Sequence, residues 1–167
     1  AEKIVVVQVV QHLRAGGIEC LVLEMLRSSQ ISQAEDMYIV SLEGTKEEAL
    51  RHWPRLLPYK QRLFFLNKPQ GLSLSCLFKV KTLLKRLKAN VVHSHHIGPL
   101  LYAGFAAMMA SVNYRIHTEH DAWHMQDKKR RKLESVLLKL IKPMLVADAQ
   151  GVQDQLNEYQ PGYPSQI

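Results

Sequence analysis

Residues Ile4 to Val10 read IVVVQVV, a run of β-branched side chains broken only by Gln8. A strand that is apolar on both of its faces needs cover on both, which is the situation of a strand inside a parallel sheet flanked by helices. The run leads into Ala15-Gly16-Gly17, after which Leu21, Val22, Met25 and Leu26 recur at helical spacing, so a helix starts near Gly17 or Ile18. A strand feeding a glycine turn at a helix N-terminus suits an anion. Unsatisfied N–H groups and the helix dipole point outward there, and glycine lets another group come close. A turn that merely needs positive φ gives the same sequence pattern. Neither the GxGxxG nor the GxxxxGK[ST] fingerprint is present.

The same grammar continues along the chain. Asp36–Leu42 reads as a second strand and Arg62–Leu66 as a third, with a short helix from Gly44-Thr45 to Leu50 and a loop at Pro54 and Pro58 between them. A helix is expected over Leu72–Leu87, with Leu77, Val80, Leu83, Leu84 and Leu87 on one face and lysines mostly on the other. Val91-Val92 and Tyr114–Ile116 read as strands on either side of a small-residue helix from Pro99 to about Ala110. A basic amphipathic helix follows over Asp127–Lys142 and stops at Pro143. Leu145–Ala147 is a short strand, Asp148 a fitting N-cap, and the last helix runs to about Tyr159 before a tail with turn chemistry. Strand–helix alternation of this kind predicts an α/β, Rossmann-like three-layer sandwich with a mainly parallel sheet, formed as one domain over residues 1–167.

Composition narrows the setting. No apolar run approaches the roughly 20 residues of a membrane span, and the opening residues lack the form of a signal peptide. Cys20 and Cys76 stand far apart with no zinc spacing, which suits a reducing cytosol. The net charge is +7, but residues 79–142 hold thirteen Lys or Arg against four Asp or Glu. That basic half suits anionic lipid, nucleic acid or a phosphorylated substrate, or simply forms the solvated faces of helices.

Six of the eight histidines fall between positions 93 and 124: His93, His95, His96, His117, His120 and His124. In a βαβ unit both turns that follow the strands open on one rim of the sheet, where open α/β sheets bind ligands. A metal site, acid–base or hydrogen-bonding work, and simple satisfaction of backbone groups are the readings available to them. No HExxH spacing is present, which weakens the first.

GGIE after the first strand, VVHSHHIGPLLYAGFAA, and RIHTEHDAW followed by a KRR-containing helix together resemble the N-terminal domain of family 4 glycosyltransferases, which have the GT-B fold. The resemblance runs from about Ile4 to Tyr159. It implies one of two Rossmann-like halves facing a cleft, here the acceptor-binding half of a retaining enzyme. The C-terminal donor-binding half, with its Glu-x7-Glu signature, is absent from this sequence. Such an enzyme moves a sugar from a nucleotide-sugar donor to a saccharide or lipid-linked acceptor, as in cell-surface polysaccharide synthesis, and this half alone is expected to be inactive.

By the same resemblance, His120 is the catalytic position and Gly16 and Gly17 lie against the donor phosphate and sugar. Glu19, His95, His96, Asp121 and Trp123 are expected to meet the acceptor. No metal and no cofactor are expected in this chain; the nucleotide sugar is a substrate of the whole enzyme. The expected partners are the donor half, the acceptor and an anionic membrane surface, not nucleic acid, in the cytoplasm at the inner face of the membrane. Two departures stand out. Asp121 replaces the glycine that usually follows the family's T-x-H, and Ala147-Asp148 replaces the usual Val-Ser. Two other readings compete with this one: a stand-alone α/β module for a phosphorylated small ligand, and a metal-dependent hydrolase.

Overall fold

The structure is a computed structural model and describes residues 2–120, 127–147, 150–159 and 163–166. Among the described residues seven strands form one sheet: β1 (Ile4–Val10), β2 (Glu35–Ser41), β3 (Leu63–Phe65), β4 (Val91–His95), β5 (Tyr114–Glu119), β6 (Met144–Ala147) and β7 (Ser165–Gln166). Their order is β3-β2-β1-β4-β5-β6-β7, and every pairing is parallel. The helices are α1 (Gly17–Ser32), α2 (Lys46–His52), α3 (Leu74–Arg86), α4 (Ile97–Met109), α5 (Lys128–Ile141) and α6 (Gln150–Tyr159). A 3-10 segment, Pro54–Arg62, occupies the stretch expected to be a loop, with Pro54 at its first turn where a missing N–H costs nothing. β7 adds a strand in the tail for which only turn chemistry is expected.

Local chemistry sets the helix starts. Thr45, Ser73 and Asp127 accept hydrogen bonds from the backbone N–H groups of Glu48, Cys76 and Lys129, which caps α2, α3 and α5. Each cap contributes about 1 kcal/mol. α5 ends where Lys142 turns left-handed (φ 53°) just before Pro143.

Both faces of β1 are covered, as its apolar run demands. Val10, Met37, Ile39 and Leu63 pack with Val22, Leu23 and Leu26 of α1 and with Trp53 and Leu56 on one face. Val7, Val9, Val40 and Val92 meet Val80, Leu83 and Leu84 of α3 and the small residues Ala103, Ala106 and Ala107 of α4 on the other. α5 and α6 extend that second layer, with Leu137, Leu138, Ile141 and Leu156 over Leu145 and Ala147. Because the strand order reverses between β1 and β4, the loops after these two strands diverge and leave a crevice at their C-terminal ends.

Candidate functional site

The rim is built from the ends of β1, β4 and β5. After β1, Gly16 is the N-cap of α1, with extended backbone (φ −156°, ψ 174°), so positive φ is not what glycine supplies here. A Cβ on Gly16 would lie 2.6 Å from Oε2 of Glu19, whereas one on Gly17 would meet nothing within 4 Å. Glycine at 16 therefore makes room for the Glu19 carboxylate to fold back over the helix N-terminus, where the dipole favours negative charge. Glu19 Oε1 lies 3.2 Å from His12 Nδ1.

Beside this turn, the loops after β1 and β2 enclose a cavity of about 490 Å³. His12, Arg14, Glu43, Thr45, Glu48 and His52 supply its polar lining, and Leu13, Trp53 and Phe65 are among its apolar walls. None of these residues is singled out by the sequence motifs. Glu43-Gly44-Thr45 directly follows a strand, however, and the strand-end rule that picks out Gly16 applies to it equally.

The second half of the rim is histidine. HSH lies within β4 and TE within β5, so the alternation of strand side chains, not a turn, sorts these residues. His93, His95, Thr118 and His120 fall on one face. His93 Nε2 and Thr118 Oγ1 are 2.6 Å apart. His95, 1% exposed, is held from both ends: Nε2 lies 2.7 Å from Gln8 Oε1 and Nδ1 lies 2.8 Å from His120 Nε2. The His95 and His120 rings stack at 5.1 Å, and the His96 ring lies 5.9 Å from that of His120. Burial first, and then the His117 and His120 imidazoles, lowers the pKa of His93 to about 4. Burial and four neighbouring imidazoles push His95 far below the ordinary range, so it is neutral. His96 caps α4 with φ 69° and ψ 167°, a backbone region that is nearly glycine-only and costs about 1–3 kcal/mol for another residue.

His117 corrects the expectation of six imidazoles on one rim. Its odd position in β5 turns it to the opposite face, under α5, with Glu119. There Nδ1 lies 2.8 Å from Ser94 Oγ, and Nε2 lies 2.7 Å from Glu119 Oε1 and 3.9 Å from Glu134 Oε1. All three side chains are fully buried. Among the described residues this is the one group whose donor atoms converge as a metal's ligands do, within 4.8 Å. Neighbouring ligands around a tetrahedral zinc stand roughly 3.3 Å apart, from bond lengths near 2.0–2.2 Å. The 2.7 Å His117–Glu119 contact is instead that of a shared proton.

Of the positions expected to form the site, Gly16, Gly17, Glu19, His95, His96 and His120 all lie along this rim. His95 is enclosed by protein on its two nitrogens. Asp121 and Trp123 lie outside the described residues, as do His124 and Asp148.

A parallel α/β sheet with a crevice at its reversal point, a glycine turn on one side and paired imidazoles on the other, is the N-terminal half of a GT-B architecture. The sequence profile of Glycosyltransferase Family 4 matches residues 3–161, and the chain belongs to that family. No curated protein matches it significantly. Among solved structures it is similar to a UDP-N-acetylglucosamine 2-epimerase (TM-score 0.63, 14% identity, 94% of this chain and 45% of the other). It is also similar to MurG of Acinetobacter baumannii (TM-score 0.58, 13% identity, 90% and 42%). The chain thus spans less than half the length of either.

Proposed function

We propose that this chain is the acceptor-binding half of a retaining glycosyltransferase that takes a sugar from a nucleotide-sugar donor and passes it to a saccharide or lipid-linked acceptor. The observation that carries the reading is the rim itself: a helix N-terminus behind Gly16-Gly17, His120 beside His95 at the ends of β4 and β5, and a cavity with polar and apolar walls between the β1 and β2 loops. A departing diphosphate is stabilised by oriented dipoles and cations, and the N-terminus of α1 supplies the former. His120 hydrogen-bonds a hydroxyl of the sugar in transit. The cavity pairs carboxylates and imidazoles with Trp53 and Phe65, a lining suited to the hydroxyl-rich, partly apolar surface of an acceptor sugar.

The decisive experiment is transfer by the longer protein with a panel of nucleotide sugars. His120→Ala should lower kcat about 100-fold or more. Unchanged transfer in that variant, or a reading frame that stops shortly after Ile167, would sink the proposal. The fragment alone should show little nucleotide affinity by calorimetry; tight nucleotide binding would favour the stand-alone module instead.

A peripheral place on the membrane belongs to the same reading. No helix among the described residues is long and apolar enough to cross a bilayer. On α5, though, Leu133, Val136 and Leu140 form an exposed apolar stripe beside the exposed Lys129, Lys132 and Lys139. Such a face suits an anionic lipid surface that carries the acceptor. Co-sedimentation with vesicles that is indifferent to anionic lipid and to salt would remove this part.

A further inference from the structure

Glu43 comes just after β2 and lines the cavity beside the glycine turn. Its place is fixed at three points. Its N–H donates to the Gln11 carbonyl at 2.9 Å, and its own carbonyl accepts from the buried Ser41 hydroxyl at 2.7 Å. Its Oε1 accepts from Gln11 Nε2 at 2.9 Å. Gln11 is confined in turn on its far side. A Cβ on Gly98, in the first turn of α4, would run into Gln11 Oε1, so glycine at 98 is what gives the amide its room.

The partner of the Glu43 carboxylate is an amide. Among the described residues no Lys, Arg or His stands within ion-pair distance of it. An amide orients a carboxylate without cancelling its charge. Of the other titratable groups in the lining, Arg14, Glu48 and His52 are exposed, so water and salt screen them. His12 faces Glu19, which answers any positive charge it takes on. Glu43 is partly buried and is screened less. The fixed field inside the cavity is therefore negative.

We propose that Glu43 is a specificity-determining residue, positioned by Gln11, that makes the cavity take an uncharged or aminated sugar and turn away an anionic one. The inference rests on the reading of this cavity as the acceptor site and narrows the class of the acceptor. A carboxylate also accepts hydroxyl and ammonium protons, so the preferred sugars gain bonds where an acidic sugar meets repulsion.

The test is a titration of the 15N-labelled chain at neutral pH with matched methyl glycosides: glucoside against glucuronide, and galactoside against galacturonide. The members of each pair differ by one charge on the same ring. The uncharged member should bind about tenfold more tightly, the size of one like-charge contact across partly screened space. Glu43→Gln keeps an oxygen for the Gln11 amide, so the clamp survives while the charge goes, and the preference should fall to within about twofold. A purely structural role for the clamp predicts no change in that variant. Gly98→Ala displaces only the flexible end of Gln11, leaves the cavity lining itself intact and should narrow the preference in part. Equal binding within the pairs, or binding of neither pair, overturns the proposal in the parent chain alone, whether or not a variant folds. A preference that persists in folded Glu43→Gln overturns it too, and an unmoved ratio in folded Gly98→Ala overturns the part given to Gln11. Transfer by the longer protein separates this proposal from the reading beneath it. Efficient transfer to acidic acceptors refutes the charge selection and keeps the transferase. The expected selection with no transfer from any nucleotide sugar keeps the selection and refutes the transferase.

Discussion

The two halves of the rim are made in opposite ways. On the β1 side, Gly16, Gly17 and the cavity loops leave space: a side chain at 17 would meet nothing, and the polar groups line a void. On the β4–β5 side the space is filled. His93 and His95 are packed, bonded at fixed nitrogens and held neutral against their ordinary titration. The first half is shaped for something to arrive. The second has spent stability on side chains already in place, as preorganised sites do.

If that contrast is right, acid should strike the histidine half first. The pKa of His93 falls from 6.5 in the unfolded chain to about 4 in the fold, so between these values the unfolded state binds the extra proton. Stability is therefore complete above the unfolded pKa and is lost as pH falls towards the folded one. The loss is up to about 3 kcal/mol for this residue alone, with His95 acting in the same direction. Urea midpoints measured from neutral pH downward should show the decline, and His93→Gln should flatten part of it. A flat profile in the parent chain would break the contrast.

Next in size, His95→Ala should cost about 2–3 kcal/mol, because it strands the Gln8 carbonyl in the core as well as removing packing. His96→Gly should raise the urea midpoint, with about 1 kcal/mol of stabilisation if relief of the positive φ outweighs the ring's contacts, and a lower midpoint would place those contacts first. Gly16→Ala should change stability by only a few tenths of a kcal/mol, because the atom in its way is the flexible end of Glu19. The same change should impair transfer by the longer protein through displacement of that carboxylate. Stability losses above about 2 kcal/mol at Gly16 would mean that the open half is as rigidly built as the closed one.

The fold was legible because its cause is hydrophobic periodicity: IVVVQVV reads as a central parallel strand, α3 buries the stripe its spacing marks, and α5 buries Leu137, Leu138 and Ile141 while leaving a second apolar stripe exposed. β7 was not, since Ser165-Gln166 offers no apolar pattern in the sequence and pairs at the edge of β6. Within the site, the rim position of Gly16 and His120 follows from local motifs. His117 was misplaced because a count of imidazoles ignores the two-residue alternation of a strand. The cavity is not marked by any local motif because its walls come from segments some thirty residues apart, residues 12–15 and 43–53. Gln8 looked like a blemish until the structure set it beside a residue 87 positions away.

That separation also has a consequence in time. β1 pairs with β4 at Val6↔Val91, so one edge of the first strand stays bare until the segment beginning at Val91 has been made. Closing so long a loop is slow, and an unpaired apolar strand invites other chains meanwhile. α3 must be laid down before β4 can dock, and only then do Gln8 and His95 come together. The Gln8–His95 contact is thus absent from any chain in which β1 has paired with β2 but not yet with β4.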